Sequence, residues 1–497
     1  MVSNAVDASA VARVVGIETN FEDRRAGGVI LLPQRVALVG QGASAATYST
    51  DKTRFTNADD VGKAYGFGSP VHLAARQLLP ANGDGLGSVP LTVFPLEDAG
   101  GAVAASGDIT PAGAPTVAAS YIVRVNNIDS EEFVIAVGDN VAAITAKMTQ
   151  AINAALNMPV IATDNGTDVG LAAKWAGSSS NDLVVEVIGS TTAGNTFGIT
   201  QPTGGLVNPD VDVALNQIGD VWETMVVNCL EISDTTTLGK YATFGEGRWQ
   251  PLVRKPLVVF TGNTEVDVNT AVTVPDSRKT DRVNAQLVAP GSNNLPFVVA
   301  ARQVARIAVL ANNNPPYDYG SQPATGLTPG ADGDQWTYAE RDLAVKAGSS
   351  TIEVKSGVIN VSDVVTFYHP DGEAIPPFRF VVDIVKLQNI IFNLDLIFTA
   401  QEWDGAPLIP DDQATTNRAA KKPKSAVAAI AAMLDSLGLE AIISDPETAK
   451  ANTFAEIDDQ NPKRLNVTTS VQVSGNANIK SIDLNFGFFF GTSQVVA

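Results

Sequence analysis

The chain has 497 residues, with 53 acidic against 33 basic side chains for a net charge of −20, 45% hydrophobic and 17% charged residues, and a single cysteine. That length exceeds one ordinary core and predicts about two to four domains. The acidic balance argues against nucleic acid or an anionic membrane as the main partner, and one cysteine, Cys229, excludes a disulfide framework.

Few charges beside ample apolar content fit a chain that buries surface against partners. Cys229 sits in the apolar run Met225–Leu230 and reads as a buried strand residue. Met1–Ala10 lacks a basic region followed by an apolar core, so no secretory signal is expected. The most hydrophobic stretch, Phe378–Phe398, is interrupted by Asp383, Lys386, Gln388, Asn389, Asn393 and Asp395, too many polar groups for a membrane span. The expectation is a soluble subunit made in a cytoplasm, with no nucleic-acid partner and no membrane insertion.

Residues 1–30 read as an arm. Val15, Ile17, Thr19 and Phe21 alternate with Gly16, Glu18 and Asn20, the period of a half-buried strand. A strand so near the start has no local partner and must pair at a distance, within this chain or in another. From residue 31 the pattern is α/β. Arg35–Gly40 is a short buried strand, Thr56–Asp60 offers a helix start for Val61, Ala64 and Tyr65, Ser69-Pro70 caps a helix over 71–79, and 89–96 returns as a strand.

Residues 98–205 are rich in Ala, Gly, Thr and Ser and read as an inserted α+β domain. Strands are expected at 121–125, paired with 132–137, and at 159–162, 169–173 and 183–188. Val141–Leu156 is an amphipathic helix, with Ile144, Met148, Ile152 and Leu156 on one stripe. The α/β alternation resumes at 211, with a helix over 211–218, short buried strands at 224–230, 256–260 and 284–288, and helices over 234–244 and 296–310. Such alternation favours a mostly parallel sheet covered by helices. The Pro/Gly/Asn-rich stretch 312–333 is too long for a simple connection. Residues 206–337 therefore join 31–97 in one discontinuous domain.

Residues 338–497 form the last predicted domain. A short helix leads into strands at 351–355 and 364–368, with His369-Pro370-Asp371-Gly372 as a turn. Residues 380–398 are helical and apolar nearly all round, hence fully buried or shared with a partner. Ser425 caps a helix carrying Val427, Ile430, Leu434 and Leu437, and Gly438 stops it. Before it stands a basic cluster, Arg418, Lys421, Lys422 and Lys424, read either as a solvated approach to the helix or as a contact for an acidic protein surface. The chain closes on two alternating runs, 465–473 and 482–490, around Gly475–Asn478, predicting a β-hairpin with Ile482, Leu484, Phe486, Phe488 and Phe490 on one face. A free strand that apolar recruits other chains. It must be covered, by its own domain or by a neighbouring copy.

Motifs for catalysis and cofactors are sparse. Gly40-Gln41-Gly42-Ala43-Ser44-Ala45 follows a strand in the dinucleotide-binding pattern, but Thr47–Asp51 is a poor helix start, so no pyrophosphate site is expected. A hydrolase triad would need His72 or His369, which read as surface or cap residues. One cysteine and two scattered histidines exclude structural zinc, and Asp332-Gly333-Asp334 lacks calcium-loop spacing. No cofactor is expected.

Taken together, the segments Val14–Thr19, Val36–Gly42, Tyr65–Pro70, Ala344–Thr351, Val364–Pro370, Lys386–Asn393 and Asp483–Phe486, in this order, resemble the tail sheath proteins of contractile-tailed bacteriophages, in particular the Mu-like group. The resemblance implies a central subtilisin-like α/β domain without protease activity, the inserted α+β domain outside it, and a C-terminal α+β domain completed by strands exchanged between subunits. Val15, Ile17, Thr19 and Phe21 at one end, and Ile482, Leu484, Phe486 and Phe488 at the other, would be the exchanged residues. It further implies helically stacked hexameric rings around a tail tube, contraction that drives the tube through the host envelope, baseplate and tail-terminator partners, assembly in the host cytoplasm and residence in the virion tail. Arg418, Lys421, Lys422 and Lys424 are then the candidates for gripping the tube. Rival readings are a sheath on a phage-derived injection particle, a hydrolase on a subtilisin-like core, and an exported self-assembling surface protein.

Overall fold

The computed structural model describes residues 29–190, 193–373, 377–484 and 486. Its centre is a six-stranded sheet of β1 (Val36–Gln41), β2 (Thr53–Phe55), β3 (Leu91–Leu96), β4 (Met225–Asn228), β5 (Val258–Asn263) and β6 (Asn284–Val288), in the order β6-β5-β4-β1-β3-β2. All neighbours are parallel except β2, which runs antiparallel to β3. Apart from β2, every strand residue is buried, because both faces are covered. The alternation of side chains divides the core in two. Val36, Leu38, Val227 and Phe260 face one side with α2 (Pro70–Leu78) and α4 (Pro296–Asn313). Ala37, Val39, Val226 and Val259 face the other with Tyr241 of α3 (Thr235–Trp249) and the short helix Asp212–Ile218.

Helix starts follow the expected chemistry. Asn57 Oδ1 accepts from the Asp60 amide at 2.8 Å to open α1 (Ala58–Tyr65), Asp234 does the same for Thr237, and Pro70 and Pro296 occupy first turns.

Residues 106–203 build two antiparallel four-stranded sheets and the helix Val141–Ala154. Paired backbone bonds between Val103 and Leu206, both 3.0 Å, hold the two ends of the segment together where it leaves β3 and returns. The strands Ser106–Gly113 and Asn195–Thr203 pair with each other, and neither is expected from the sequence.

In the C-terminal third, Ile352–Lys355 pairs with Val358–Val361, a strand that the sequence does not announce. Ser356 (φ 51°) and Gly357 (φ 75°) both take the left-handed region, which makes a two-residue hairpin turn. Residues 364–368 contribute an isolated bridge, Val365 to Phe380. Helix α5 (Val381–Phe398) joins two cores. Val381, Val382, Ile384 and Val385 lie in the large core, whereas Ile390 packs with Ile430, Leu434 and Leu437 of α6 (Pro423–Leu439). Its last turns are half-buried, so the helix is neither wholly enclosed nor apolar all round.

Lys422, not Ser425, takes the N-cap position of α6; Ser425 Oγ instead accepts the Lys422 amide at 3.3 Å. Gly438 lies inside the last turn. A Cβ there would stand 2.9 Å from Pro446 Cγ, so close packing requires the glycine. In place of the expected terminal hairpin, β8 (Leu465–Thr468) runs antiparallel to β7 (Phe454–Ile457), upstream of it; the described residues from 469 to 484 contain no strand, and Asn485 and 487–490 of the expected second strand lie outside the described residues. The competing partner won because β7 is close in sequence and its pairing with β8 sits over α6.

Candidate assembly interface

The C-terminal segment is fastened as far as Asn476 and then leaves the body. The amide of Ser474 donates to Ile442 at 3.1 Å, that of Ser444 donates to Gln472 at 3.0 Å, and Asn476 Nδ2 donates to the Pro316 carbonyl at 2.8 Å. Beyond it Ile479, Ile482, Leu484 and Phe486 are 94%, 84%, 80% and 85% exposed. Large apolar side chains at spacing two, with so little covered, are unusual for a chain end. Val15, Ile17, Thr19, Phe21 and Phe488 lie outside the described residues.

Two sets of buried polar groups on α5 meet these chain ends. Lys386, fully buried, donates to Asp383 Oδ1 (3.0 Å), to the Ser474 carbonyl (2.7 Å) and to Asn476 Oδ1 (2.7 Å). One and two turns on, Asn389 Oδ1 accepts the Leu32 amide (2.8 Å), and Asn393 bonds both the amide (3.2 Å) and the carbonyl (3.0 Å) of Ile30. In the sequence these residues stand out only as interruptions of an apolar run; their spacing of three and four is the signal that groups them on one face.

The basic cluster is less free than its sequence suggests. Lys421 Nζ pairs with Glu402 at 2.7 Å and lies 5.0 Å from the centre of the Trp403 ring. Lys422 Nζ donates to the carbonyls of Asp411 and Gln413, and Lys424 donates its amide to Asp411 Oδ1 at 3.1 Å and its Nζ to the Asp411 carbonyl at 3.4 Å. Arg418 is exposed, with no partner among the described residues. It stands on the exposed stretch 411–419 of the loop that joins α5 to α6. A backbone bridge between Leu408 and Lys421 closes the base of that loop.

The residues considered for chemistry serve packing. A Cβ on Gly40 would stand 2.6 Å from Cys229 Cβ, and one on Gly42 would stand 2.4 Å from the Tyr48 ring, so these glycines allow close approach within the protein. No helix follows them before α1. Contrary to expectation both histidines are buried. His72 Nδ1 accepts the Gly68 amide at 3.0 Å, and burial with nearby Arg76 and Lys174 pushes its pKa down to about 4. His369 bridges the Phe367 carbonyl (2.6 Å) and Asp276 (3.1 Å). Burial drives the Cys229 thiol far above its ordinary range, which disqualifies it as a nucleophile at neutral pH. Where the inserted segment meets the carboxyl ends of β1 and β4, Asp182 is raised to about 7 by burial and by Glu231, itself raised mainly by burial. Among the described residues no cluster of His, Cys, Asp or Glu could hold a metal ion, and no helix is long and apolar enough to cross a membrane.

The geometry defines a multidomain α/β protein whose C-terminal segment leaves its own body with apolar residues uncovered. The chain is similar to the tail sheath protein of the Mu-like prophage FluMu of Haemophilus influenzae, 23% identical over 393 residues that cover 77% of this chain and 79% of that protein. The likeness to contractile-tail sheath proteins that the sequence suggests is thus found again in the comparison. No family model matches. Among solved structures, the chain is similar to a sheath tail protein from Listeria innocua (TM-score 0.48, 14% identity, 91% of this chain and 94% of that one). A sheath tail protein from Desulfitobacterium hafniense follows (TM-score 0.46, 12% identity, 92% and 100%).

Proposed function

We propose that this protein is the polymerising subunit of a contractile tail sheath, with a structural and mechanical role. It forms helically stacked hexameric rings around a tail tube, bounded by baseplate and tail-terminator proteins, and shortens to drive the tube through the host envelope. Assembly takes place in the host cytoplasm and the product is part of the virion tail. The observation that carries this reading is the exposed apolar series Ile482, Leu484 and Phe486 just beyond the anchored Asn476.

In this reading the segments 31–97 and 206–337 form the sheath domain on a subtilisin-like core, 98–205 forms the outer domain, 338–497 forms the inner domain, and 1–30 forms an arm. Val15, Ile17, Thr19 and Phe21, and Ile482, Leu484, Phe486 and Phe488, complete sheets in neighbouring subunits. Each backbone bond in such a pairing contributes about 0.5–1.5 kcal/mol net, and burying Phe486 or Phe488 adds roughly 1.5–3 kcal/mol. Several bonds and two such side chains make a link firm enough to survive contraction. Contacts released during contraction are weaker. Exposed ion pairs contribute about 0–1 kcal/mol each, which suits Arg418 and Lys424 as grips on the tube, with Lys421 and Lys422 shaping the loop that presents them. The energy of contraction is then stored in the assembled lattice as a kinetic trap.

Negative-stain electron microscopy of the purified protein tests the reading. Striated tubes or rings are expected; a monodisperse monomer at every concentration and salt condition contradicts it.

A further inference from the structure

We propose that helix α5 is the common anchor of both chain ends: Lys386 sets where the C-terminal arm departs, and Asn389 and Asn393 set where the N-terminal arm departs. Positions 386, 389 and 393 fall on one helix face within two turns, so the two roots lie about 10 Å apart along the axis. All three side chains are buried, and all three bond to backbone or side-chain atoms of the segments beside which the arms begin.

The chemistry at each root is that of a clamp. Lys386 Nζ spends its three donors on Asp383, Ser474 and Asn476, and Asn476 turns its own amide to Pro316. An ammonium group without solvent needs all of those acceptors, so the arm cannot shift at Ser474–Asn476 without stranding a buried charge. At the other root Asn393 offers an acceptor to the Ile30 amide and a donor to its carbonyl, the pair of bonds that a neighbouring strand would supply. Asn389 and Asn393 also bond back to the carbonyls of Val385 and Asn389, which fixes both amide orientations. Residues 30–32 are thereby held without belonging to any sheet.

Fixing the roots bounds what the arms reach. Ile482 lies six residues past Asn476, hence within about 22 Å of that root, and Phe21 lies nine residues before Ile30, hence within about 32 Å of the other. Because a slip of one residue turns a strand's apolar face outward, a fixed departure point also fixes the register in which each arm enters a receiving sheet. Since α5 belongs to both cores, the two roots at Ile30 and Asn476 are fixed to the body and to each other. The use of the arms for assembly rests on the sheath reading; the anchoring by α5 does not.

The test is hydrogen exchange on the full chain, followed by electron microscopy. In the wild-type protein the amides of Ile30 and Leu32 are expected to exchange at least about tenfold more slowly than those of residues 479–484; equal rates overturn the anchoring. Asn389→Leu with Asn393→Leu should lower protection at residues 30–32 about tenfold while leaving Ser474 unchanged. Lys386→Met should do the reverse. Uniform loss of protection across β4 and β5 in every variant, including the milder Asn393→Asp, marks a merely structural role and overturns the proposal. If wild type forms tubes and the anchor variants, with arms released, form them equally well, the positioning role falls. If wild type forms none, the sheath reading falls while the exchange data still decide the anchoring.

Discussion

Gln388 Nε2 donates to the carbonyl oxygen of Pro256 at 3.0 Å, so the middle of α5 is bonded directly to the residue two positions before β5. Both partners are buried. Gln388→Leu keeps the volume and removes one of two donors to the Pro256 carbonyl, which keeps Trp222 Nε1 at 2.8 Å, a loss of about 0.5–1.5 kcal/mol. In urea unfolding the variant should show its α5–α6 region unfolding earlier than the central sheet, read from hydrogen exchange as a function of denaturant. Unfolding with wild-type midpoint and a single transition would show that the bond does not join the two cores.

Gly40 and Cys229 test the tight centre of the sheet. Gly40→Ala places a methyl group 2.6 Å from Cys229 Cβ and 2.8 Å from its Sγ. Overpacking of that kind costs about 1–3 kcal/mol. Cys229→Ala removes the Sγ but retains the Cβ, so the double variant should recover part of the loss. The stability difference across the four proteins measures the coupling.

Two buried groups give opposite pH dependences. His72 is lowered from 6.5 to about 4. Between those values the unfolded chain binds a proton the folded one refuses, so the stability contributed by this group is lost as pH falls from about 6.5 to 4. Asp182 is raised from 3.8 to about 7. Here the folded chain holds the extra proton, so stability from this group falls as pH rises from about 4 to 7 and is level above. His72→Gln should therefore flatten the acid limb of the stability profile, and Asp182→Asn should stabilise more at pH 8 than at pH 4. Chemical denaturation across pH 4–8 reads both signs.

The basic loop separates grip from scaffold. Arg418→Glu with Lys424→Glu should leave the free subunit's stability within about 0.5 kcal/mol, because both residues are exposed. Tube-dependent assembly should nevertheless be lost, with self-assembly of the sheath unchanged. Lys421→Glu breaks the pair with Glu402 and the stack on Trp403, so it should loosen the loop itself, visible as faster proteolysis between 400 and 422. Normal co-assembly of the Arg418/Lys424 variant with tube would remove the loop from the interface.

The central sheet was legible because β1, β3, β4, β5 and β6 are short apolar runs between capped helices, and burial on both faces leaves few other uses for such runs. The strands Ser106–Gly113 and Asn195–Thr203 were not, since Gly, Pro and Thr dilute the apolar signal and each is held chiefly by its neighbour. The C-terminal alternation marks extended backbone at 465–468 but does not point to β7 as its partner. Periodicity states which face is apolar and says nothing of which strand lies alongside. The histidines misled for a related reason: a residue type common at surfaces was enclosed once Gly68 supplied a partner for His72 and Asp276 one for His369. Lys386, Asn389 and Asn393 were visible as letters, but their meaning depends on contacts 88 to 363 positions away.

A reconstruction of assembled particles at side-chain resolution tests the central claim most directly. The account predicts that Ile482, Leu484, Phe486 and Phe488 lie as a strand hydrogen-bonded into a sheet of an adjacent subunit, their apolar side chains covered there. Density showing these four residues folded back onto β7 and β8 of their own subunit, in an assembly held by other surfaces, contradicts it.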